Sequence, residues 1–318
     1  MRILVPDAQS FHGGVETVTT KIIQAWTNHP KVKITWVLPP HRSGKFRTKF
    51  KGNSTVEFES FQWSRTHPRS LLLSILKRTH SAFAHAWEFK CNEAKLRKIA
   101  RKRSCSHCFY FWPIKEPVPN LNIPIFCLIC DLAWQHVPES YPNDDPNDLD
   151  DMIREWVSRS RKVFTISNHT RSEVLGMLPK MSKKIQTVLL AASNQQVATT
   201  QALPLDESLP FFLYPSAPNP QKNHLVLFQA VSELLDRGLK FRLVLTGANT
   251  KQLLGDTPMA RQLPEQARRL YQERKDQLAD TIVAADQVPE NALADLFRKC
   301  IAVLMPSQYE GFGLAVAE

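Results

Sequence analysis

The stretch Pro306-Ser307-Gln308-Tyr309-Glu310-Gly311-Phe312-Gly313-Leu314-Ala315-Val316-Ala317-Glu318 concentrates chemistry-bearing residues. Two carboxylates, Glu310 and Glu318, are separated by seven residues, and a glycine-rich turn, Gly311-Phe312-Gly313, directly follows the first. An apolar run, Ile301-Ala302-Val303-Leu304-Met305, reads as the strand that delivers this turn, and the turn starts a helix. Amides at such a helix start can face a diphosphate, because the helix dipole favours an anion there. Gly311 and Gly313 permit close approach of the backbone. The carboxylates are acceptors suited to sugar hydroxyls.

Two other clusters resemble metal sites and are set aside. Cys105-Ser-His-Cys108 and Cys127-Leu-Ile-Cys130 have the formal spacing of a four-cysteine zinc site. Pro124 to Cys130, however, is a continuous apolar run, the mark of a strand buried on both faces. Residues three apart on a strand point to opposite faces, so Cys127 and Cys130 would not grip one ion. The six cysteines read better as small buried hydrophobes in a reducing compartment. The acidic run Asn143 to Asp151 mixes Pro and Asn with its acids, which points to a solvated turn leading into a helix. No metal is expected.

The elements around these residues alternate strand and helix. Arg2–Pro6 reads as a strand, followed by a loop with Gly13 and Gly14 and a helix carrying Val15, Val18, Ile22 and Trp26 on one face. Lys33–Leu38 is a second strand, ended by Pro39-Pro40. Strand, helix, strand in short order implies a right-handed parallel unit, hence an α/β domain. Residues 70–103 read as mostly helical, with Leu72, Leu76, Phe83, Trp87, Cys91 and Ala94 as the apolar stripe and many Lys and Arg between them. Further strands are expected near 108–112, 124–130, 162–166 and 185–190, with Ser167 or Asn168 capping a helix. Residues 196–208 read as a linker between a domain over 1–195 and a second domain over 209–318. The second domain repeats the pattern: strands at 211–214, 241–246, 282–284 and 301–305, with helices at 223–237 and 289–299.

Here the stretch around Glu310 and Glu318 resembles the signature of the retaining glycosyltransferases of group 1 (family 4-like), built from two Rossmann-like domains in the GT-B arrangement. The resemblance implies that Glu310 contacts the donor sugar and that Glu318 binds the ribose of a nucleotide. It extends over nearly the whole chain. His12-Gly13-Gly14-Val15-Glu16 resembles the glycine loop of the first domain that approaches the donor phosphates. Tyr214 to Asn223 looks like the first loop of the second domain, whose Lys222-Asn223 carries the phosphate-binding lysine. A fixed ammonium there would stabilise a departing diphosphate, as a metal does in other transferases. Three features depart from the family. Ala217, Pro218 and Asn219 occupy the region where relatives often carry an arginine shortly before the lysine. Cys130-Asp131 stands where many relatives have His-Asp, leaving Asp131 as the candidate catalytic group at that strand end. Glu318 is the last residue where relatives continue, so the resemblance implies a second domain truncated at its C-terminal end.

Composition bounds what remains. Residues 1–195 hold 29 Lys/Arg against 16 Asp/Glu, while residues 196–318 hold 12 against 14, so the net charge of +11 comes from the first domain. A basic face suits an anionic partner, and an anionic membrane surface is the candidate. No run is long and apolar enough for a membrane span, and the N-terminus lacks the pattern of a signal peptide, so the expected place is the cytoplasm, peripheral on the inner face of the membrane. The expected reaction moves a hexose from a UDP- or GDP-sugar to a glycan or lipid-linked acceptor, without a cofactor and without nucleic acid. The rivals are an inactive or partial remnant, a basic zinc-dependent nucleic-acid binder, and a sugar-nucleotide epimerase on the same architecture.

Overall fold

The computed structural model describes residues 1–7, 14–62, 81–191, 209–255 and 264–317, with backbone alone for 81–87. In chain order the elements are β1 (Arg2–Pro6), α1 (Gly14–Thr27), β2 (Lys33–Leu38), α2 (Pro40–Lys49), β3 (Val56–Ser60), α3 (Ser81–Lys102), β4 (His107–Phe111), β5 (Ile125–Ile129), α4 (Pro146–Arg159), β6 (Lys162–Thr165), α5 (Asn168–Met177) and β7 (Ile185–Thr187). There follow β8 (Phe211–Pro215), α6 (His224–Asp236), β9 (Arg242–Thr246), α7 (Thr250–Leu254), α8 (Glu265–Glu273), α9 (Lys275–Leu278), β10 (Ile282–Ala284), α10 (Glu290–Lys299), β11 (Ala302–Val303) and α11 (Leu314–Ala317).

The chain divides into two compact units, one of Met1–Cys130 with Asn147–Leu189, the other of Asp131–Pro146 with Leu190–Glu318. The second unit thus includes Asp131–Pro146, which by sequence order falls within the expected first domain. The linker expected at 196–208 lies outside the described residues.

The first unit holds a seven-stranded sheet in the order β3-β2-β1-β4-β5-β6-β7, with every adjacent pair parallel. Leu4, Val5, Ile34, Trp36, Val37 and Leu38 are fully enclosed, as a sheet covered on both faces requires. Trp36 anchors one side, packed against the rings of Phe46, Phe50 and Phe58. Phe46 and Phe50 come from α2 and its cap, elements the sequence reading ended at Pro39-Pro40; Pro40 instead occupies the first helical turn, where proline is favoured. At the edge strand β3, Glu57 pairs with Arg2 and Arg103, and Glu59 with Arg103.

The second unit carries a four-stranded parallel sheet, β10-β9-β8-β11. Alternate residues of β9 face opposite cores: Leu243 and Leu245 pack with Tyr214, Phe228 and Tyr271, while Val244 packs with Leu213 and Leu296. Gly238, at φ 78, ends the α6 region in the left-handed conformation that glycine adopts readily. Ser167 caps α5 as expected, its Oγ accepting from the Thr170 N–H at 3.0 Å.

Two expected faces are corrected. On α1 the buried residues are Val18, Thr19, Thr20 and Ile23; Val15, Ile22 and Trp26 are half-buried, although Trp26 does face the core, packed on Phe109 and Phe111. On α3 the enclosed side chains are Glu88, Leu96 and Ala100, while Ala94 is exposed and Cys91 half-buried. Leu72 and Leu76 lie outside the described residues, and nothing is described of the Phe83 and Trp87 side chains.

Candidate functional site

Both sheets have a point where the strand order reverses: between β1 and β4 in the first, and between β8 and β11 in the second. Open parallel sheets bind ligands in the crevice beyond the carboxyl ends of the strands at such a point. In the second unit that crevice is flanked by the loop after β8, which carries Lys222, and the loop after β11, which carries Glu310.

Three contacts join these two loops. The Lys222 ammonium pairs with Glu310, Nζ to Oε1 at 2.6 Å, with the two side chains 21% and 28% exposed. The Gln308 N–H donates to the Gln221 carbonyl at 2.9 Å. Asn223 Nδ2 donates to the Pro306 carbonyl at 3.3 Å. Each loop is also held by local chemistry. Asn219 Oδ1 accepts from the Gln221 N–H at 3.0 Å and starts a tight turn over Pro220–Lys222. Tyr214 Oη donates to the Lys222 carbonyl at 2.5 Å. Asn223 adopts φ 54, a left-handed conformation that asparagine tolerates better than most residues, and so turns the chain from Lys222 into α6. Gly247, after β9, lies so close to this loop that a Cβ there would fall 2.5 Å from the Ala217 nitrogen. Gly313, at φ 78, makes the corresponding turn before α11.

Burial sets the protonation of two groups here. Enclosure raises the Tyr214 phenol to about 12. Enclosure, reinforced by the adjacent Lys222 charge, lowers His224 to about 4, so that imidazole is neutral at physiological pH. Its ring packs on Tyr214 with centroids 4.8 Å apart.

The structure therefore brings together Lys222, Asn223 and Glu310, with Gly311, Phe312 and Gly313 continuing the same loop. Asp131 lies in the same unit, where its Oδ1 accepts from the Ala133 N–H at 3.2 Å, just before the short turn Ala133–Gln135. Gly14 opens α1 in the first unit. Gly13 and Glu318 lie outside the described residues.

Sequence reasoning missed three side chains that shape this region. Tyr309 is buried, with its Oη accepting from the Leu132 N–H at 3.0 Å and its ring stacked on His136 at 4.6 Å. Ser140 bonds Asn219 and Gln221. His224 is the third. Tyr309 lies inside the quoted signature, but no spacing rule ties it to residue 132, because the partner is far along the chain.

At the same end of the first sheet, Asp7 follows β1 and meets Arg42 of α2 through two hydrogen bonds of 2.9 and 2.8 Å. Arg42 also bonds Glu16 at 2.9 Å, and Lys45 pairs with the same carboxylate. Burial opposes ionisation of Glu16, but Lys45 and Arg42 outweigh it and hold the carboxyl below its usual range.

The cysteines behave as enclosed thiols. Burial lifts Cys127 to about 12 and Cys108 well above its ordinary value. Cys130 is buried and its carbonyl accepts from Thr170 Oγ1 at 3.1 Å. Among the described residues no group of three or more His, Cys, Asp or Glu is placed to hold a metal. Among the described residues, too, no helix is long and apolar enough to cross a membrane.

Residues 196–318 match the family described as Glycosyl transferases group 1. The O-antigen chain mannosyltransferase B of Escherichia coli is 25% identical over 196 residues, 59% of this chain and 48% of that protein. The chain thus spans about half the length of this curated relative. Among solved structures, sucrose-phosphate synthase from Thermosynechococcus elongatus superposes with a TM-score of 0.63 at 14% identity, over 99% of this chain and 77% of that one. UDP-GlcNAc 2-epimerase from Neisseria meningitidis, bound to UDP-GlcNAc, does so with 0.55 at 11% identity, over 95% and 77%. These likenesses show the fold. The segment that matches the group 1 family, residues 196–318, carries both loops of the β8–β11 crevice, and the fold of the chain is the one these solved structures share.

Proposed function

We propose that the chain transfers a hexose, with retention, from a nucleoside-diphosphate sugar to a glycan or lipid-linked acceptor in cell-surface polysaccharide synthesis. The observation that carries this reading is the Lys222–Glu310 pair at the switch point of the second sheet. A cation held by one carboxylate is ready to exchange that partner for a diphosphate, and Glu310 is then released to accept hydrogen bonds from the sugar. As the bond to the anomeric carbon breaks, charge accumulates on the leaving diphosphate. A fixed ammonium stabilises that charge most where it is greatest, in the transition state. The acceptor hydroxyl attacks the anomeric carbon from the same face as the diphosphate leaves and passes its proton to the departing phosphate oxygen, and binding both in one orientation supplies much of the rate. Lys222 takes the part a metal plays elsewhere, so the reaction is proposed to run without one. The name of the E. coli relative makes a mannosyl donor the first to try.

Calorimetric titration of UDP and GDP, with and without EDTA, tests the donor site. Binding that survives EDTA and is lost in Lys222→Ala is the expected result. Failure of both nucleotides to bind would reject it and favour a remnant. The fold is shared with a nucleotide-sugar epimerase, which gives a second reading. Release of an epimerised sugar nucleotide from donor alone, without acceptor, would select it.

The basic first domain is proposed to rest on an anionic membrane surface in the cytoplasm, but the α3 cations are only partly available for it. Arg97 is engaged by Glu93 and the Asn120 carbonyl, and Arg103 by Glu57 and Glu59, leaving Lys90, Lys98 and Arg101 among the exposed ones. Flotation with phosphatidylglycerol vesicles, and none with neutral vesicles, is the expected outcome.

A further inference from the structure

We propose that Asp131–Pro146 acts as a bracket that sets the Lys222–Glu310 pair, with Tyr309 and Ser140 as its positioning residues. The inference rests on the reading of that pair as the donor site.

The bracket has little regular structure of its own, only two short turns at Ala133–Gln135 and Pro138–Ser140. Its apolar residues are nevertheless enclosed: Leu132, Ala133 and Trp134 are fully buried and Val137 nearly so. Its first attachment is to Tyr309, the residue directly before Glu310. Leu132 begins the first turn, and its N–H donates to Tyr309 Oη at 3.0 Å. A buried phenol needs such a partner, and an amide at the head of a turn needs an acceptor, so each satisfies the other. The Tyr309 ring lies almost parallel to the His136 imidazole, centroids 4.6 Å apart and planes 13° apart, with Ala133 and Val137 against it.

The second attachment is at Ser140, further along the bracket. Ser140 Oγ donates to Asn219 Oδ1 at 3.2 Å and accepts from the Gln221 N–H at 3.1 Å. Those are the residues that make the turn presenting Lys222. One segment therefore grips the residue before Glu310 through Leu132 and the residue before Lys222 through Ser140. Neither loop belongs to an α-helix or strand at these points, so the bracket adds two anchors to the loop-to-loop hydrogen bonds and the Asn219 turn that otherwise hold the two charged groups. Displacement of a reacting group by about an ångström can cost about a hundredfold in rate, which gives such a grip functional weight.

Two variants test this on the whole protein. Tyr309→Phe removes one hydroxyl and keeps the ring stack; Ser140→Ala removes the other attachment. The first readout is amide hydrogen exchange at Gln308, whose N–H bonds the Gln221 carbonyl and so reports whether the two loops remain joined. Either variant is expected to speed that exchange about fivefold, the size of one net hydrogen bond. Unchanged exchange in both would overturn the bracket. This readout needs no ligand, so it decides the bracket even if the protein binds neither UDP nor GDP and the donor reading falls. The second readout is sugar transfer. In Tyr309→Phe, kcat is expected to fall about tenfold, with UDP or GDP affinity within about twofold of the parent, because the sugar-side carboxylate is what moves. In a Glu310→Gln background the same change should lower kcat less than twofold, since coupled residues do not add. Full additivity would show that Tyr309 acts through overall stability, and would overturn its role as a positioning residue.

Discussion

The Lys222–Glu310 pair is about one-quarter exposed on each side, and a pair open to water in that degree adds ~1 kcal/mol or less to folding. Removing either partner should therefore separate function from stability. Lys222→Ala and Glu310→Ala are each expected to cost at most about 1 kcal/mol in urea unfolding and to reduce sugar transfer at least about a hundredfold, the scale of a lost transition-state contact. Near-normal transfer in either variant would reject its assignment. His224 makes the opposite case, a residue of stability. Folded, it takes its proton only near pH 4, whereas the unfolded imidazole does so near 6.5. Between those values the unfolded chain binds the extra proton, so the stabilisation is complete above pH 6.5 and is lost as pH falls. From pH 7 to pH 5 the loss is about 2 kcal/mol by linkage. His224→Met should flatten that part of the urea-midpoint profile, and an unaltered pH slope would show that other groups dominate it.

At the scale of elements, the site depends on how tightly loops can approach strands. Gly247 combines φ 131 with a neighbouring backbone nitrogen 2.5 Å from any added Cβ. Gly247→Ala must push the loop at Ser216–Ala217 away, and that loop continues to Lys222. A loss of roughly 2–3 kcal/mol is expected from the overpacking, together with weaker binding of UDP or GDP. A variant as stable as its parent would mean the loop yields freely. The elements themselves were partly legible in the sequence. The apolar strands, the Ser167 cap and the Gly238 stop follow local rules that need no tertiary information. Helix α2 and strand β3 were not legible, because a proline pair reads as a terminus when it can equally open a helix. In Val56-Glu57-Phe58-Glu59, the charges find their partners in Arg2 and Arg103, far along the chain. The α3 face was misjudged for a similar reason: a buried Glu88 breaks the apolar pattern on which the periodicity argument relies. Lys222 and Glu310 were each singled out by residue type and resemblance, and the strand order brings the two side chains together. Tyr309 and Ser140 gave no such signal, since their roles exist only through the bracket.

For the whole molecule, each unit has its own parallel sheet and its own buried cluster, so each is expected to contribute its own unfolding transition. Asp7, Arg42 and Glu16 are all residues of the first unit. Arg42→Ala leaves Asp7, 6% exposed, without its bidentate partner, and about 3–5 kcal/mol should be lost. Scanning calorimetry is expected to show Arg42→Ala lowering one transition and Gly247→Ala the other. Joint movement of a single peak in both variants would show that the units unfold together.

The path of Asp131–Pro146 has a genetic consequence. The second unit is discontinuous in the gene: its sheet is encoded after residue 190, but a sixteen-residue piece is encoded earlier, between β5 and α4. A chimera that exchanges C-terminal halves between relatives at the apparent linker would inherit Tyr309 from one parent and residues 132 and 136 from the other. Recombination that preserves the fold must carry two blocks, and substitutions at 136 and 309 should be accepted more readily in pairs than singly.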